Sequence, residues 1–341
     1  MPQHLGVRGM ANSGGGRAMD VQDRLARFQN TRVLVVGDTI VDLYTYGSVL
    51  GLAAETPTIV ARRESVSRTL GGAAFVCRNL LELGAHVDFI TVVGEDDEAR
   101  HVADFASPRL NLIAISDPSR PTTVKHRFWV DGYKLLQLDV RDDSLVSEAV
   151  AAKVMSAFHT HLEQVGAVVI SDYRHGLVSP AMAAELVAGT NAAGKPAYID
   201  SQVAQNTSNH IDYRSGAIIC LNLKEARCID PAFTPSDQPT AFARLQAQLD
   251  AKMLVLKLGE QGSMIFDGET VVKAPARPVQ AVDTTGAGDA FLASLVLTGL
   301  NDPLEALTFA NAWAGLSIQI HGTIPPALGD LITLLAPDHS R

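Results

Sequence analysis

The segment Asp283-Thr284-Thr285-Gly286-Ala287-Gly288-Asp289-Ala290-Phe291 runs small residues into an apolar helical stretch and leaves a carboxylate on the helix's first turn. The first amides of a helix have no partner inside it and sit at the positive end of the macrodipole. A glycine-padded entry at Gly286, Ala287 and Gly288 therefore lets a phosphate reach bare backbone. A carboxylate beside such an anion hole is electrostatically unfavourable unless it has work to do. Asp289 is placed to take a proton from a hydroxyl while the amides hold the charge that grows on a transferring phosphoryl group. The plainer reading is a tight turn whose glycines supply backbone freedom before a capped helix. No Gly-Lys-Ser/Thr follows, so the segment is not a Walker loop.

Other polar residues fall where apolar runs end. Arg32 to Val36 reads as a central parallel strand that stops at Gly37-Asp38. Asp38 and Asp42 bracket the loop beyond it, where a carboxylate accepts hydrogen bonds from vicinal hydroxyls of a sugar or simply braces a turn. Ile170 runs into Ser171-Asp172-Tyr173, Ile199 into Asp200, and Leu221 into Asn222. Carboxyl ends of parallel strands share one edge of a sheet, so Asp38, Asp172, Asp200 and Asn222 should gather at the cleft that Asp289 faces. Gly71-Gly72 opens a helix and lets backbone approach a sugar. Lys257 with Gly259 and Gly262 fits a strand end and turn on a nucleotide's side, or a solvated surface charge. Lys125 and Arg127 lie two apart on one strand face, either gripping a substrate phosphate or guarding an edge strand.

The elements that must position these residues alternate along the chain. Strands are expected at Val87 to Val93, Ala167 to Ile170, Ala197 to Ile199, Ile218 to Leu221 and Met253 to Lys257. Helices are expected from Gly71, at Ala149 to Leu162, Pro180 to Ala193, Phe242 to Leu249, Gly288 to Leu297 and Leu304 to Ile320. This is a doubly wound α/β pattern with a mostly parallel sheet and a crossover at each unit. Two other stretches, about 44–69 and 121–139, have a strand-like texture broken by turns.

The chain has 341 residues, 47% of them hydrophobic and 19% charged, with a net charge of −9, which reads as one folded domain of about 31–341. Residues 1–30 are expected to be a flexible N-terminal extension, because Met1 to about Asp20 lacks both periodicity and bulk. The acidic balance argues against nucleic acid as a partner, and an anionic substrate then needs a local basic pocket. No apolar run suits a membrane span or a secretory leader, and three cysteines without a CxxC spacing fit a reducing cytoplasm.

Together the DTTGAGD-Ala-Phe string, Gly71-Gly72-Ala73-Ala74, Asn222-Leu223-Lys224-Glu225 and Lys257-Leu258-Gly259-Glu260-Gln261-Gly262 resemble, in order, the signatures of the ribokinase or PfkB family of sugar kinases. The resemblance spans roughly Thr31 to Leu335 and implies a ribokinase-like fold, with the strand-like stretches as a small β-sheet lid. It further implies ATP and Mg²⁺ as cofactors, a monovalent cation as an option, and a homodimer joined through the lid. By the same resemblance Asp172 stands on the sugar side, and Asp200, Thr285 and Asn311 on the nucleotide side. Asn222 and Glu225 order the magnesium's hydration shell through water rather than caging the ion, unless they merely cap a helix.

Within the family the chain is most similar to the heptose 7-phosphate kinases, on Val35 to Tyr44, Glu55-Thr56-Pro57 and Lys125 to Asp139. That implies an anomeric hydroxyl as acceptor. Departures stand at Phe75, where the relatives have Asn, at Ser201-Gln202 in place of Pro-Lys, and at Tyr133-Lys134 in place of Gln-Gln. Another sugar, sugar phosphate or nucleoside as acceptor, or a silent ligand-binding relative, stays open on these departures. With the chain ending at Arg341, a nucleotidyltransferase domain is not expected in it.

Overall fold

The computed structural model describes residues 21–336 except 205 and 237. In chain order the strands are β1 (Arg32–Gly37), β2 (Thr39–Leu52), β3 (Ile59–Gly72), β4 (His86–Val93), β5 (Leu110–Ser116), β6 (Val124–Val130) and β7 (Tyr133–Val140). They continue with β8 (Ala167–Asp172), β9 (Ala197–Ser201), β10 (Ile218–Asn222), β11 (Met253–Lys257), β12 (Ser263–Phe266) and β13 (Val271–Ala274). One nine-stranded sheet has the order β13-β12-β11-β10-β9-β8-β1-β4-β5, and a four-stranded sheet has the order β3-β2-β6-β7.

The large sheet is parallel from β11 to β5. Its far edge, β12 and β13, is antiparallel and closed by short turns, so the expected crossover at every unit fails there. Both faces of the parallel part are covered, and the sequence shows why its strands read as unbroken apolar runs. Val33 and Val35 of β1 face one core layer, while Leu34 and Val36 face the other. Ala167 and Val169 against Val168 and Ile170 repeat this on β8. Each fully buried Val or Leu contributes roughly 1.5–3 kcal/mol relative to exposure, so no single layer could be dropped. Helices Ala73–Glu82, Ala287–Thr298 and Pro303–Ser317 supply residues to the first layer, and Glu148–Leu162, Pro180–Ala192 and Pro239–Leu249 to the second. Fully buried Trp313 is satisfied by donating its indole N–H to Asn79 Oδ1 at 2.8 Å.

Several elements depart from expectation. Residues 1–20 of the expected extension lie outside the described residues. Residues 21–29 form a helix whose Leu25 and Phe28 are buried in the first layer, so the fold begins before Thr31. The helices Asp97–Ala103 and Leu328–Leu335 and the strands β5, β12 and β13 were not anticipated, being short or half-exposed.

The second sheet is the expected lid, but with deeper roots. Only Asp38 separates β1 from β2, and β3 runs straight into the helix Ala73–Glu82. Pairing of Thr39 with Gly72, Ile40 with Gly71 and Asp42 with Thr69 fixes the lid's base above the carboxyl end of β1. β6 lies inside the lid sheet between β2 and β7, so Lys125 and Arg127 do not guard an edge. Their register partners are Asp42 and Tyr44.

Candidate active site

Gly286 caps the helix Ala287–Thr298 in a left-handed conformation, with φ 77°. A side chain there would be strained and would run into the Phe75 ring, which lies buried against it. The loop before the helix is held by Asp283, which accepts from the amides of Thr285 at 2.9 Å and Gly322 at 3.0 Å. Burial works against the Asp283 carboxylate, yet these amides keep its pKa below the ordinary value. Asp289 projects from the first turn beyond this loop and is only 6% exposed.

The Tyr173 hydroxyl donates to Asp289, lying 2.7 Å from Oδ1 and 2.8 Å from Oδ2. Burial pushes the Asp289 carboxyl up to about 7; the Tyr173 hydrogen bond opposes this, Asp200 and Asp42 add to it, and Lys257 opposes it. The group is thus tuned to the range where a general base works best.

Carboxyl ends of neighbouring strands complete the cleft. Lys257, from β11, places Nζ 2.6 Å from Asp200 Oδ2, from β9, with both side chains largely buried. Lys257 is therefore no solvated surface charge. Its neighbours Asp200 and Glu225 outweigh the cost of burial and raise its pKa, so it stays a cation. Asn222 and Glu225 form a full capping box on the helix Leu223–Ile229: Asn222 Oδ1 accepts from the Glu225 amide at 2.9 Å, and Glu225 accepts from the Asn222 amide at 2.7 Å. The Asn222 side-chain amide donates to the other Glu225 oxygen at 2.6 Å. Burial pushes Glu225 up to about 7, against the pull of Lys257. Capping and cleft-lining coexist, because Tyr173, Asp200, Gln202, Asn222, Glu225, Lys257, Thr284 and the segment 286–289 line one cavity of about 210 Å³.

A second cavity of about 630 Å³ shares Lys257, Thr284, Ala287 and Gly288 with the first and continues along Gly259, Gly262, Val279, Phe291, Asn311 and Ile318. Its apolar flank suits a flat aromatic base, while the polar cavity next door suits phosphates. Gly259 and Gly262 both have positive φ, and a Cβ on Gly262 would meet the Ala274 carbonyl. Asn311 accepts from Ser263 Oγ at 2.9 Å and donates to the Ala274 carbonyl at 3.1 Å, so it shapes the wall by tying a helix to β12 and β13. A further hollow of about 820 Å³ beside Leu316, Asp330 and Leu335 contains none of the expected site residues.

On the lid side several roles differ from expectation. Asp42 is 2% exposed; its Oδ1 accepts from Arg127 at 2.5 Å and its Oδ2 from the Thr323 hydroxyl at 3.2 Å. Arg127 thus carries an internal ion pair through Nη1 and stacks over Tyr44, 5.3 Å to the ring centroid. Lys125 keeps its ammonium 5.5 Å over the Tyr173 ring, and burial lowers its pKa despite Asp42 and Asp139.

The close approaches that Gly71 and Gly72 permit are to the chain's own Asp42 carboxylate and Asp38 carbonyl, not to an open face. Asp38 accepts from the amides of Tyr173 at 2.9 Å and His175 at 3.3 Å, and burial beside Asp172 pushes it up to about 7. Asp172 is a brace rather than a substrate contact. It is 1% exposed and accepts from Tyr213, Asn209, Ser201 and the Arg174 amide at 2.7, 2.7, 3.0 and 2.7 Å.

Sequence reasoning missed the Tyr173 to Asp289 bond, the Asp283 anchor and the Asp200 to Lys257 pair. Tyr173 was visible as a polar residue at a strand end, but nothing in spacing links it to a residue 116 positions away. Of the departures, Phe75 supports the glycine loop, Ser201 joins the Asp172 brace, Gln202 lines the phosphate-sized cavity and Tyr133 is 74% exposed on the lid.

Among known proteins, the family model described as pfkB family carbohydrate kinase matches residues 30–328. The chain is 31% identical over 332 residues to the bifunctional protein HldE of Caulobacter sp. (strain K31), covering 94% of this chain and 67% of that protein. It is 31% identical over 328 residues to the protein of the same name from Paramagnetospirillum magneticum, covering 92% and 65%. The chain thus spans about two thirds of the length of these curated relatives. Its fold is similar to phosphofructokinase-2 from Escherichia coli in complex with potassium, with TM-score 0.71 and 17% identity over 89% of this chain and 97% of the other. Ribokinase from Arabidopsis thaliana complexed with ribose and ATP gives TM-score 0.67 and 21% identity over 89% and 98%. The ribokinase-like architecture expected from the sequence is the one observed.

Proposed function

The chain belongs to the pfkB family of carbohydrate kinases, and from that premise we propose that it moves the γ-phosphoryl group of ATP to the anomeric hydroxyl of a heptose 7-phosphate. The observation that carries this reading is Asp289 in the polar cavity, on the first turn of a glycine-capped helix whose Ala287 and Gly288 line both that cavity and the apolar one beside it. The acceptor rests on the resemblance of three segments to heptose 7-phosphate kinases and on the HldE relatives at 31% identity.

In this reading the apolar cavity takes the adenine and ribose, and the triphosphate runs past Lys257 toward the amides of Ala287, Gly288 and Asp289. Asp289 accepts the acceptor's proton as the phosphoryl group arrives, while the helix amides hold the charge on its oxygens. Lys257, fixed by Asp200, places a positive charge beside the leaving phosphates. Mg²⁺, when bound, supplies charge neutralisation of the phosphates. Asn222 and Glu225 suit it through water, because Mg²⁺ keeps much of its hydration shell and each of their oxygens, accepting one hydrogen bond in the capping box, retains a lone pair for a water. Among the described residues no group of three or more His, Cys, Asp or Glu forms a ready cage.

The sugar lies under the lid, near Asp38 and Asp42, with the half-buried Lys125 as the cation for its phosphate. Leu50, Leu52, Leu135, Leu136 and Leu138 leave an apolar lid surface exposed, and a second copy of this lid is its proposed cover. Light scattering of a Leu136→Glu/Leu138→Glu variant as monomer would support that dimer, and an unchanged mass would remove it. A cytoplasmic site of action is proposed on family grounds; among the described residues no helix is long and apolar enough to cross a membrane.

ADP release measured across free and phosphorylated pentoses, hexoses and heptoses tests the whole reading. Preference for a heptose 7-phosphate, with a 1-phosphate product by ³¹P NMR, is the expected result. A different best acceptor would move the substrate within the family, and no sugar phosphate from any member would overturn the reading.

A further inference from the structure

Tyr173 connects three parts of the site at once. Its amide donates to Asp38 Oδ2 at 2.9 Å, its ring lies under the Lys125 ammonium at 5.5 Å, and its hydroxyl spans both oxygens of Asp289 at 2.7 and 2.8 Å. Asp289 is 6% exposed, and the polar cavity through which it is reached is walled by Tyr173 itself. An acceptor that gives its proton to Asp289 must come within hydrogen-bond distance of a carboxylate oxygen, which is where the phenol stands.

We infer that the Tyr173 hydroxyl is a stand-in for the acceptor hydroxyl, holding the seat on Asp289 against water and yielding it to the sugar. The inference rests on the kinase reading above and adds to it a residue that decides between sugar and water. A sugar pinned under the lid can displace the phenol because its other hydroxyls are held by the site; a lone water has no such purchase. With the phenol removed, water takes the seat. Its oxygen attacks the γ-phosphorus, the bond from phosphorus to the β-γ bridging oxygen breaks, and one water proton passes to Asp289, giving ADP and inorganic phosphate.

The test is Tyr173→Phe, which keeps the ring and removes only the hydroxyl. The groups facing Asp289 from other elements, Asp200, Lys257 and Asp42, are left in place. ADP release from Mg-ATP without sugar should rise about 10-fold or more, because the seat is no longer closed to water. The ratio of sugar phosphate formed to ADP released should fall below one with the best acceptor of the panel. The double variant Tyr173→Phe/Asp289→Asn should return sugar-free release to background.

Unchanged sugar-free release in a folded Tyr173→Phe protein, or extra release that persists in the double variant, would overturn the inference. Should the variant not fold, the unaltered protein decides: sugar-free release below about one tenth of the sugar-dependent rate agrees with a guarded base, and a higher rate overturns it. Failure of the kinase reading is seen separately, as no sugar phosphate from the unaltered protein.

Discussion

Arg127 sets its guanidinium 2.5 Å from Asp42 Oδ1, and the two side chains are 11% and 3% exposed. β2 and β6 run parallel, with Asp42 opposite Lys125 and Tyr44 opposite Arg127, so Lys125 and Arg127 share one face with the carboxylate. The pair joins β2 and β6, the two inner strands of the lid sheet. Thr323, which also bonds Asp42, follows Gly322, whose amide holds Asp283 of the glycine loop. The base of the lid and the glycine loop are thus linked through the adjacent residues Gly322 and Thr323.

Arg127→Ala leaves the Asp42 carboxylate buried without its partner and should destabilise the protein by about 3–5 kcal/mol. Urea unfolding checks this. The double variant with Asp42→Asn should recover much of the loss, since no uncompensated charge then remains. Additive losses would mean that the pair is not coupled.

Lys125→Met is expected to raise KM more for a phosphorylated sugar than for its free analogue, by about 10-fold or more if one charge-assisted contact is lost. Kinetics on both substrates provide the check. Equal changes would remove Lys125 as the phosphate's partner.

Asp289→Asn should lower turnover by about 100-fold or more, the scale of losing a general base. ATP binding, measured by calorimetry, should persist because the helix amides and Lys257 are untouched. Near-normal turnover would exclude Asp289 as the base.

The pH profile follows from burial. Asp289 must be ionised to accept a proton, and its pKa is pushed up to about 7, so kcat/KM should fall as pH drops through about 7 rather than near 4. Stability moves in the opposite sense. Asp38 is also raised to about 7, so the folded state binds its proton more tightly than the unfolded chain; that stabilisation is complete below the unfolded value of about 3.8 and is lost as pH rises to about 7. Thermal melts of Asp38→Asn should therefore show a flatter dependence between pH 4 and pH 7 than the unaltered protein. An identical slope would show that Asp38 titrates normally.

Gly286→Ala should cost about 1–3 kcal/mol of stability, from a left-handed residue with a side chain, and should also lower turnover. The added methyl meets the Phe75 ring, so the loop must shift and the anion hole with it. Melting temperature and kcat measured together check this, and unchanged values for both would mean that the loop is tolerant.

The sequence by itself determined the scaffold and singled out the glycine-rich segment that ends in Asp289. A short, valine-rich apolar run such as Val33 to Val36, stopped by glycine, favours a strand buried on both faces, and each such parallel strand delivers its terminal polar residue to the same sheet edge. Asp289 stood out because a glycine-padded helix entry and a carboxylate are adjacent in the chain. The antiparallel β12 and β13, short and without a helix between them, carried too little pattern to announce their direction. Only the tertiary structure decided which polar groups meet. Tyr173 on Asp289, Lys257 on Asp200 and Arg127 on Asp42 join residues 116, 57 and 85 positions apart. Their partners are chosen by strand order, register and burial, and a buried charge must find whatever opposite group the packing brings within reach. That same burial turned expected sugar contacts such as Asp172 into internal braces, since a side chain's role depends on whether packing leaves it open to a ligand.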